Sequence, residues 1–408
     1  MASLRSLPVF APFRVRSFRF QWPADLLTSW AFEMETLILG WYVLSESDSV
    51  ILLTVFGALT YIGTLVAPVF GMLGDRLGQR TMICCMRAYY ASLATAVVIL
   101  GLTGHLTPYL VLGIAFFTGL VRQSDLVMRN SLLGDTMPSD RLLNAVGLAR
   151  MTQDTARIAG ALAGAGIFAA LGMGPAYIFV AAFYGASFLF SLGVAQSRRI
   201  VAAAGEPQPS RWRDLKDGFV YIWNTPRLLA LMWLAFLINL SAFPFTTGLL
   251  PFVARGVYGV DETGLGTIMA GYASGAFVGS MAMAVTGGAR SPVTFMFANV
   301  LLWYALLAVF ATLDTIALGF PLIVVIGVVQ ALAMLSMTGM ILGTAEADLR
   351  GRVMGVRMLA VYGLSLGLPV AGGLIKWAGY EATVWLYAAV GIAATLAIAL
   401  KWRRALWI

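Results

Sequence analysis

The stretch GMLGDRLGQR, from Gly71 to Arg80, sets an acid and two arginines among three glycines. Two apolar runs flank it, near residues 50–73 and 82–103. Glycine allows two helices to meet closely across a tight turn, and Asp75 is able to accept hydrogen bonds from a helix N-terminus and from a neighbouring arginine. The segment therefore predicts a short polar turn between two membrane-spanning helices.

The composition of the whole chain agrees with a membrane location. Hydrophobic residues make up 60% of it and charged residues 11%, and the mean hydropathy is +0.85; soluble domains are only about 45–50% apolar. Apolar runs of about 20 residues, enough to cross the hydrocarbon layer, recur along the chain. We predict an all-α membrane protein with twelve transmembrane helices, near 25–45, 50–73, 82–103, 108–134, 144–170, 174–196, 228–253, 262–286, 292–312, 315–342, 353–375 and 381–400.

The basic residues are distributed unevenly between the two sets of alternate loops. One set contains most of the 27 lysines and arginines, whereas the other contains only Arg255 and Lys376. The positive-inside rule then places both termini in the cytoplasm. The net charge of +8 is thereby explained, so we expect a lipid bilayer as the surrounding partner and no nucleic acid.

The longest connection divides the twelve spans into six and six. It contains AAAGEPQPSRWRDLKDGFVYIW, a Gly/Pro-rich linker followed by a basic amphipathic helix at the cytoplasmic interface. We predict an N-terminal six-helix bundle at 1–196, a cytoplasmic linker with an amphipathic helix at 197–227, and a C-terminal six-helix bundle at 228–408. A constant offset of 208 relates Asp140 to Asp348, Gly147 to Gly355 and Gly164 to Gly372, which indicates two pseudo-symmetric halves.

Residues for metal or nucleotide chemistry are scarce. Cys84 and Cys85 are adjacent within the third span, and His105 is the single histidine. No G-x-x-x-x-G-K-[ST] loop occurs, and the Gly-rich stretches lie inside spans, where they predict close helix packing. We therefore predict no enzyme, no catalytic residue, no metal site and no cofactor.

Three segments carry a family resemblance. Asp75, Arg76, Gly78 and Arg80 match the signature loop of the major facilitator superfamily, G-x-x-x-D-R-x-G-R-R, with Gln79 in place of a basic residue. The segments GLVRQSDLVMRNSLLGDTMPSDRLLNAVGLAR, FRFQWPADLLTSW and ADLRGRVMGV resemble the drug and siderophore exporter branch, which includes enterobactin and macrolide exporters. The resemblance implies the major facilitator fold, a cavity lined by spans one, four, seven and ten, and a latch on the cytoplasmic side at the signature loop.

Charged residues inside the spans are the candidate functional residues. Each costs about 2.5–3.5 kcal/mol near the bilayer centre and so needs a partner, a cavity or a function. At about 1.5 Å of rise per residue, spans four and five present matched layers, which are, from the cytoplasmic end inwards, Arg129 with Arg150, Asp125 with Asp154, and Arg122 with Arg157. The two deepest arginines are substrate-binding candidates. For the two aspartates, proton coupling and a purely structural ion network remain alternatives.

Glu33 and Glu35 lie near mid-depth in the first span, level with Arg122 and Arg157. About 200° separates them on a helix, so at most one points straight into a central cavity. Both are candidates for proton coupling and substrate binding, and the sequence leaves open which one faces the cavity. The offset of 208 pairs Arg122 with the neutral Gln330, so the ionic cluster is confined to the N-terminal half.

Neutral and shallow polar residues complete the candidate site. Asn239 and Gln330 are substrate-binding candidates, with a hydrogen bond between packed helices as the alternative for each. The predicted cytoplasmic gate consists of Gly71, Asp75, Arg76, Gly78, Arg80, Arg129 and Arg150. A merely structural role is the alternative for Arg129 and Arg150.

These features predict a monomeric, multi-pass secondary transporter of the bacterial inner membrane. The exporter resemblance implies efflux of an amphipathic small organic molecule, such as a drug or siderophore, by alternating access and in exchange for protons. One alternative is proton-independent transport, uptake or flipping of an anionic or lipid-like substrate, for which deep arginines are suitable anchors. Another is a membrane sensor that transports nothing.

Overall fold

The computed structural model describes residues 8–195, 211–286 and 291–407, and within these ranges it is built of helices and contains no strand. A 3-10 segment, Pro8–Arg14, precedes the first long helix. The α-helices are α1 Arg16–Ser47, α2 Val50–Leu59, α3 Ala67–Leu77, α4 Gln79–Leu102, α5 Pro108–Thr136, α6 Ser139–Leu171, α7 Met173–Leu192, α8 Arg211–Asn224, α9 Pro226–Ser241, α10 Glu262–Thr286, α11 Pro292–Phe310, α12 Ile316–Thr344, α13 Arg350–Leu359, α14 Tyr362–Ala378, α15 Tyr380–Lys401 and α16 Arg403–Leu406.

The helices account for all twelve predicted spans. Ten helical stretches of the described chain are long and apolar enough to cross a membrane. The first span is α1, whose 32 residues are long enough but less apolar because they include several acids. The second span is interrupted: α2, a 3-10 turn at Ile62–Leu65 and α3 follow one another. The prediction of an all-α membrane protein is confirmed.

Three spans are interrupted where sequence analysis predicted continuous helices. In the second span, the hydroxyl groups of Thr60 and Thr64 donate to backbone carbonyls three residues earlier, which offers the backbone an alternative to regular helix. In the seventh, π-helical turns at Pro244–Gly248 and Val253–Val257 follow α9. The eleventh consists of α13 and α14. Breaks of this kind are tolerated at membrane depth where neighbouring groups satisfy the backbone.

The chain forms two compact units, Met1–Tyr42 with Val66–Gln208, and Val43–Leu65 with Pro209–Ile408. The segment 43–65 groups with the second unit, and the predicted domain boundaries stay a prediction. The reason for this grouping is close packing of α2 on α14: a Cβ atom at Gly372 would lie 2.1 Å from the Thr54 hydroxyl oxygen. The predicted linker begins outside the described residues, and its helical part is α8.

The first unit has an aromatic cluster in its interior. Phe32 of α1 packs edge-on against Tyr90 of α4, with ring centroids 5.1 Å apart, and against Tyr184 of α7 at 5.7 Å. The two tyrosine rings lie 5.4 Å from each other. Because such side chains combine a large apolar body with a polar tip, the cluster both fixes α1 between α4 and α7 and presents hydroxyl groups inside the unit.

The second unit has a seam of glycines between α10 and α12. A Cβ atom at Gly275 would lie 2.0 Å from the carbonyl oxygen of Val324, and one at Gly327 would lie 2.2 Å from that of Tyr272. Two helices can approach so closely only where neither has a side chain, which is the small-residue mode of packing in membranes. This seam explains the Gly-rich composition of GYASGAFVGS.

Candidate functional site

A buried ion network lies in the first unit around Asp25 of α1. This carboxylate forms an ion pair with Arg87 of α4, and the Nε atom of Arg129 of α5 lies 3.7 Å from it. Arg129 also pairs with Asp125, one helical turn away on α5. Buried charges are tolerated when they are paired and hydrogen-bonded, and here two acids balance two arginines.

Polar side chains add hydrogen bonds to the two arginines, although the buried Nε atom of each makes none within the described part of the chain. Arg87 donates to the Ser191 hydroxyl group at 2.5 Å, and Arg129 donates to that of Ser29 at 3.1 Å. Gln21 donates to the backbone carbonyl of Arg129 at 3.0 Å. The network therefore ties α1, α4, α5 and α7 together. Sequence analysis singled out Asp125 and Arg129 but did not identify Asp25, although this acid stands in the apolar segment FRFQWPADLLTSW.

Glu35 is the buried one of the two glutamates in α1. Its residue is 7% exposed, and its carboxylate accepts a hydrogen bond from the Tyr184 hydroxyl group. Tyr177 and Thr118 are also close enough to act on this carboxyl group, and Arg122 acts on it electrostatically. The three polar neighbours come from α5 and α7, so Glu35 points into the interior of the first unit.

Glu33 points to a different side of α1, towards α6. Its carboxylate lies 3.8 Å from the Nε atom of Arg157, a side chain that is 50% exposed. Gly160 makes this approach possible, because a Cβ atom there would lie 2.8 Å from the Cβ atom of Glu33. Asp154 lies 4.0 Å from Arg157 and 3.3 Å from Arg150. The cluster around Glu33 is thus partly exposed, in contrast to that around Glu35.

Arg122 of α5 lies against α1. Its Nη1 atom donates to the Thr36 hydroxyl group at 3.1 Å, and its guanidinium carbon is 4.7 Å from the centre of the Phe32 ring. A cation over an aromatic face is held by the ring quadrupole, more strongly where water is scarce. Arg122 and Arg157 therefore approach α1 within one turn, at Thr36 and Glu33 respectively.

The ion pairs of α5 and α6 do not follow the matched layers that sequence analysis predicted for spans four and five. Sequence analysis placed Asp125 level with Asp154, and Arg122 level with Arg157. The pairs seen in the structure form within α5, within α6, and from each of these helices to α1. The spacing of three and four residues correctly identified side chains on one helix face, but α1 is the helix that they share as a partner.

The candidates in the second unit are placed separately. Asn239 is buried and donates to the carbonyl group of Ala235, one turn earlier in α9, at 2.9 Å. Gln330 is half-buried on α12. The bond of Asn239 is within its own helix and is not the interhelical bond considered as an alternative. Their predicted contact with substrate stays a prediction.

The signature loop joins α3 to α4 through Gly78, whose φ angle of 91° suits glycine. Arg80 donates to the Leu192 carbonyl group at 2.5 Å. The side chains of Asp75 and Arg76, and the position of Gly71, lie outside what the structure describes in detail. The latch, including the parts predicted for Arg129 and Arg150, therefore stays a prediction.

In the described part of the chain, membrane-spanning helices enclose clustered charge, which is typical of proteins that move ions or substrates across a membrane. The chain belongs to the Major Facilitator Superfamily, whose family profile matches residues 24–365. It is a multi-pass membrane transporter and not an enzyme. This membership confirms the predicted superfamily and its twelve-helix fold.

Solved structures show the same fold at low sequence identity. The nucleoside transporter NupG is 14% identical, with a TM-score of 0.73 over 94% of this chain and 99% of that chain. A POT family transporter in complex with 5-aminolevulinic acid is 12% identical, with a TM-score of 0.74 over 96% and 97%. A D-xylose-proton symporter is 13% identical, with a TM-score of 0.68 over 94% and 97%. No curated protein sequence matches this chain.

Proposed function

We propose that this protein is a proton-coupled antiporter that exports an amphipathic small organic molecule by alternating access. The observation that carries the proposal is the environment of Glu35, a buried carboxyl group at membrane depth with a tyrosine donor and an arginine as neighbours. Ionisable groups at this depth are expensive and are found mainly where ions or substrates pass. Proton exchange is the chemistry that a single such carboxyl group supports.

Charge balance suggests how the proton acts. The charged side chains grouped around Glu33 and Glu35, apart from the Asp25 network, are the acids Glu33, Glu35 and Asp154 and the arginines Arg122, Arg150 and Arg157. Three negative charges thus face three positive ones. Protonation of Glu35 removes a negative charge that acts on Arg122, and this changes the electrostatic environment of the arginine. In the proposed mechanism, this effect couples the proton to a conformational change.

Substrate is proposed to bind on the partly exposed side of α1. Glu33 and Arg157 present charge there, and the half-buried Arg122, one turn further along α1 at Thr36, lies over the buried ring of Phe32. An amphipathic molecule with an aromatic part and a charged or polar group has complementary chemistry. Asn239 and Gln330 are also proposed as substrate-binding residues.

The direction of transport and the location of the protein are proposed from the sequence patterns. The exporter-like segments support efflux, and the distribution of basic residues supports an inner membrane of a bacterium with both termini in the cytoplasm. We further propose that Asp75, with Arg76 and the glycines of its loop, holds the cytoplasmic side closed in the outward-facing state. Asp125 and Asp154 are proposed as secondary proton sites, and the transporter is proposed to act as a monomer.

The first step of the test is to identify a substrate. Thermal stability of the purified protein is measured against drugs, siderophores, metals and lipids at two pH values, and the compound with the largest pH-dependent shift is chosen. Transport of that compound into vesicles containing the protein is then driven by a pH gradient. Glu35→Gln is expected to abolish gradient-driven transport while exchange at equal pH continues. The reason is that glutamine can still accept the hydrogen bond of the Tyr184 hydroxyl group but has no proton to release.

Two further variants serve as comparisons. Glu33→Gln is expected to raise the KM for substrate and to leave proton coupling intact. Glu46→Gln changes an exposed acid of the same helix and is expected to behave as the unaltered protein. Gradient-driven transport by Glu35→Gln at the normal rate would refute Glu35 as the proton carrier.

The second candidate function is transport of an anionic or lipid-like substrate without protons. The 50% exposure of the Arg157 side chain favours it, because a half-exposed arginine at membrane depth attracts an anion. Substrate movement that is unaffected by pH would support this candidate. If a compound binds to the protein but is not transported, the remaining alternative is a membrane sensor that transports nothing.

A further inference from the structure

The C-terminal segment after the last span folds back on the second unit. The chain turns after α15, and Leu406 of the short helix α16 is fully buried. The indole ring of Trp407 stacks on Phe297 with centroids 5.5 Å apart, and its Nε1 atom donates to the Thr294 hydroxyl group at 3.0 Å. These contacts fix the basic residues of the segment in place, although their charged groups are exposed.

A cleft of about 470 Å³ opens beside this segment. Its lining residues are Pro226, Leu400, Lys401, Trp402, Arg403, Arg404 and Ala405. Three of the seven are cations and none is an acid. Because a cleft with low-dielectric walls and charges of one sign concentrates counter-ions, the electrostatics favour an anion with several acceptor oxygens, such as a phosphate group.

The start of α9 adds to the positive potential. Pro226 is in the first turn of this helix, which contains no acid, and the Thr225 side chain makes no capping hydrogen bond. The first backbone N–H groups of a helix carry partial positive charge and bind anions. The Nε atom of Arg227 is buried and makes no hydrogen bond within the described part of the chain. Three cationic side chains and Pro226 of the first turn of α9 thus line the same cleft.

The rim of the cleft is apolar on the side of the membrane-spanning helix. Leu400 is 70% exposed on α15, and the Lys401 ammonium group lies 4.5 Å from the centre of the Trp402 ring. Tryptophan and lysine are typical of the boundary between hydrocarbon and headgroups. A ligand that fills the cleft therefore has an anionic head beside an apolar tail.

We propose that this cleft binds the headgroup phosphate of an anionic phospholipid, with the acyl chains along α15 at Leu400. The basic residues hold the phosphate, and the apolar rim distinguishes a lipid from phosphate in solution. The exposed cations are thereby more than a topological signal, because they line a cleft together with the first residue of α9. This site is independent of the transport function proposed above.

The experiment compares three proteins in mixed micelles. One carries Arg403→Gln with Arg404→Gln, and a matched control carries Arg16→Gln with Lys216→Gln, which removes two exposed cations elsewhere. The thermal unfolding midpoint of delipidated protein is measured as phosphatidylglycerol is added. The lipid concentration for half of the maximal shift is expected to be roughly tenfold higher for the first variant, since each basic residue contributes separately to binding of anionic lipid, and unchanged for the control.

Further arms identify the ligand. Phosphatidylcholine and inorganic phosphate, each at the concentrations used for phosphatidylglycerol, are expected to produce no shift. Arg403→Lys with Arg404→Lys keeps the charge and is expected to respond as the unaltered protein, which separates lipid binding from a folding defect. An equal response of all variants to phosphatidylglycerol would overturn the proposal. A shift with inorganic phosphate alone would identify a site for soluble anions and would equally overturn it.

Discussion

Replacement of Asp25 by asparagine tests the buried ion network most directly. Asp25 is paired with Arg87 and lies 3.7 Å from Arg129. Asparagine has nearly the same shape and keeps one acceptor oxygen, but it removes the negative charge. Two desolvated arginines are then left with Asp125 as their only acid within this network. The prediction is a large loss of stability without any change in packing volume.

The magnitude follows from burial. The side chains of Arg87 and Arg129 are 1% and 6% exposed, whereas that of Asp25 is 18% exposed. Loss of one partner from a buried pair typically costs about 3–5 kcal/mol, because an uncompensated charge remains. Partial access of water to Asp25 reduces this penalty, so we expect a loss of about 3 kcal/mol for Asp25→Asn, at the lower end of that range.

Asp154→Asn is the matched control. Its partners Arg150 and Arg157 have side chains that are 56% and 50% exposed, and pairs in such surroundings contribute about 0–1 kcal/mol. The thermal unfolding midpoint of purified protein, read by intrinsic tryptophan fluorescence at one scan rate, gives the order of the variants even where unfolding is irreversible. Asp25→Asn is expected to lie well below Asp154→Asn.

A second substitution determines whether charge is the cause. Arg87→Gln in the Asp25→Asn background restores neutrality, since Arg129 and Asp125 then balance each other. The double variant is expected to be more stable than Asp25→Asn alone, as coupled residues in one network deviate from additivity. An unfolding midpoint of Asp25→Asn equal to that of the unaltered protein would refute the reasoning, as would a double variant whose losses simply add.

Two other predictions concern glycine seams and backbone conformation. Gly275→Ala is expected to lower the unfolding midpoint, because its Cβ atom would lie 2.0 Å from a backbone carbonyl oxygen and overpacking costs about 1–3 kcal/mol. Gly373→Ala, in α14 with open space around the added Cβ atom, is expected to raise the midpoint, because alanine stabilises a helix by about 0.5–1 kcal/mol relative to glycine. Asp48 has a φ angle of 49° and pairs with Arg255 at 3.0 Å while 88% exposed, so Asp48→Gly is expected to match the unaltered protein and Asp48→Val to be less stable. Equal midpoints for the two alanine variants, or for the two variants at position 48, would contradict these expectations.

The spans could be predicted from the sequence because hydropathy over about 20 residues is a property of each segment alone. The interruptions could not, since they depend on tertiary packing. The second span is broken near Thr60 and Thr64, and α2 packs on α14 at Gly372. Nothing within the segment 50–73 specifies that distant partner.

The same holds for the site: positions within one helix could be predicted from the sequence, whereas contacts between distant helices could not. Helical spacing placed Glu33 and Glu35 on different sides of α1, and the structure agrees: one faces Arg157 and the other Tyr184. The tyrosine was not predicted, because a tyrosine in an apolar span has no local signal that distinguishes a packing residue from a hydrogen-bond donor. The orientation of α7 about its own axis, which depends on how this helix packs, brings the hydroxyl group to the carboxylate.

The uneven distribution of charge limits where proton coupling can reside. In the second unit, the ion pairs seen among the described residues are Arg255 with Asp48 and Arg352 with Asp217, and each involves an exposed acid. Protonation of an exposed carboxylate changes little, because water screens both states. In the first unit, protonation of Glu35 would instead change the charge of a buried group. In the proposed mechanism, the proton therefore acts on conformation through the first unit, whereas the second unit contributes close packing through its glycine seam.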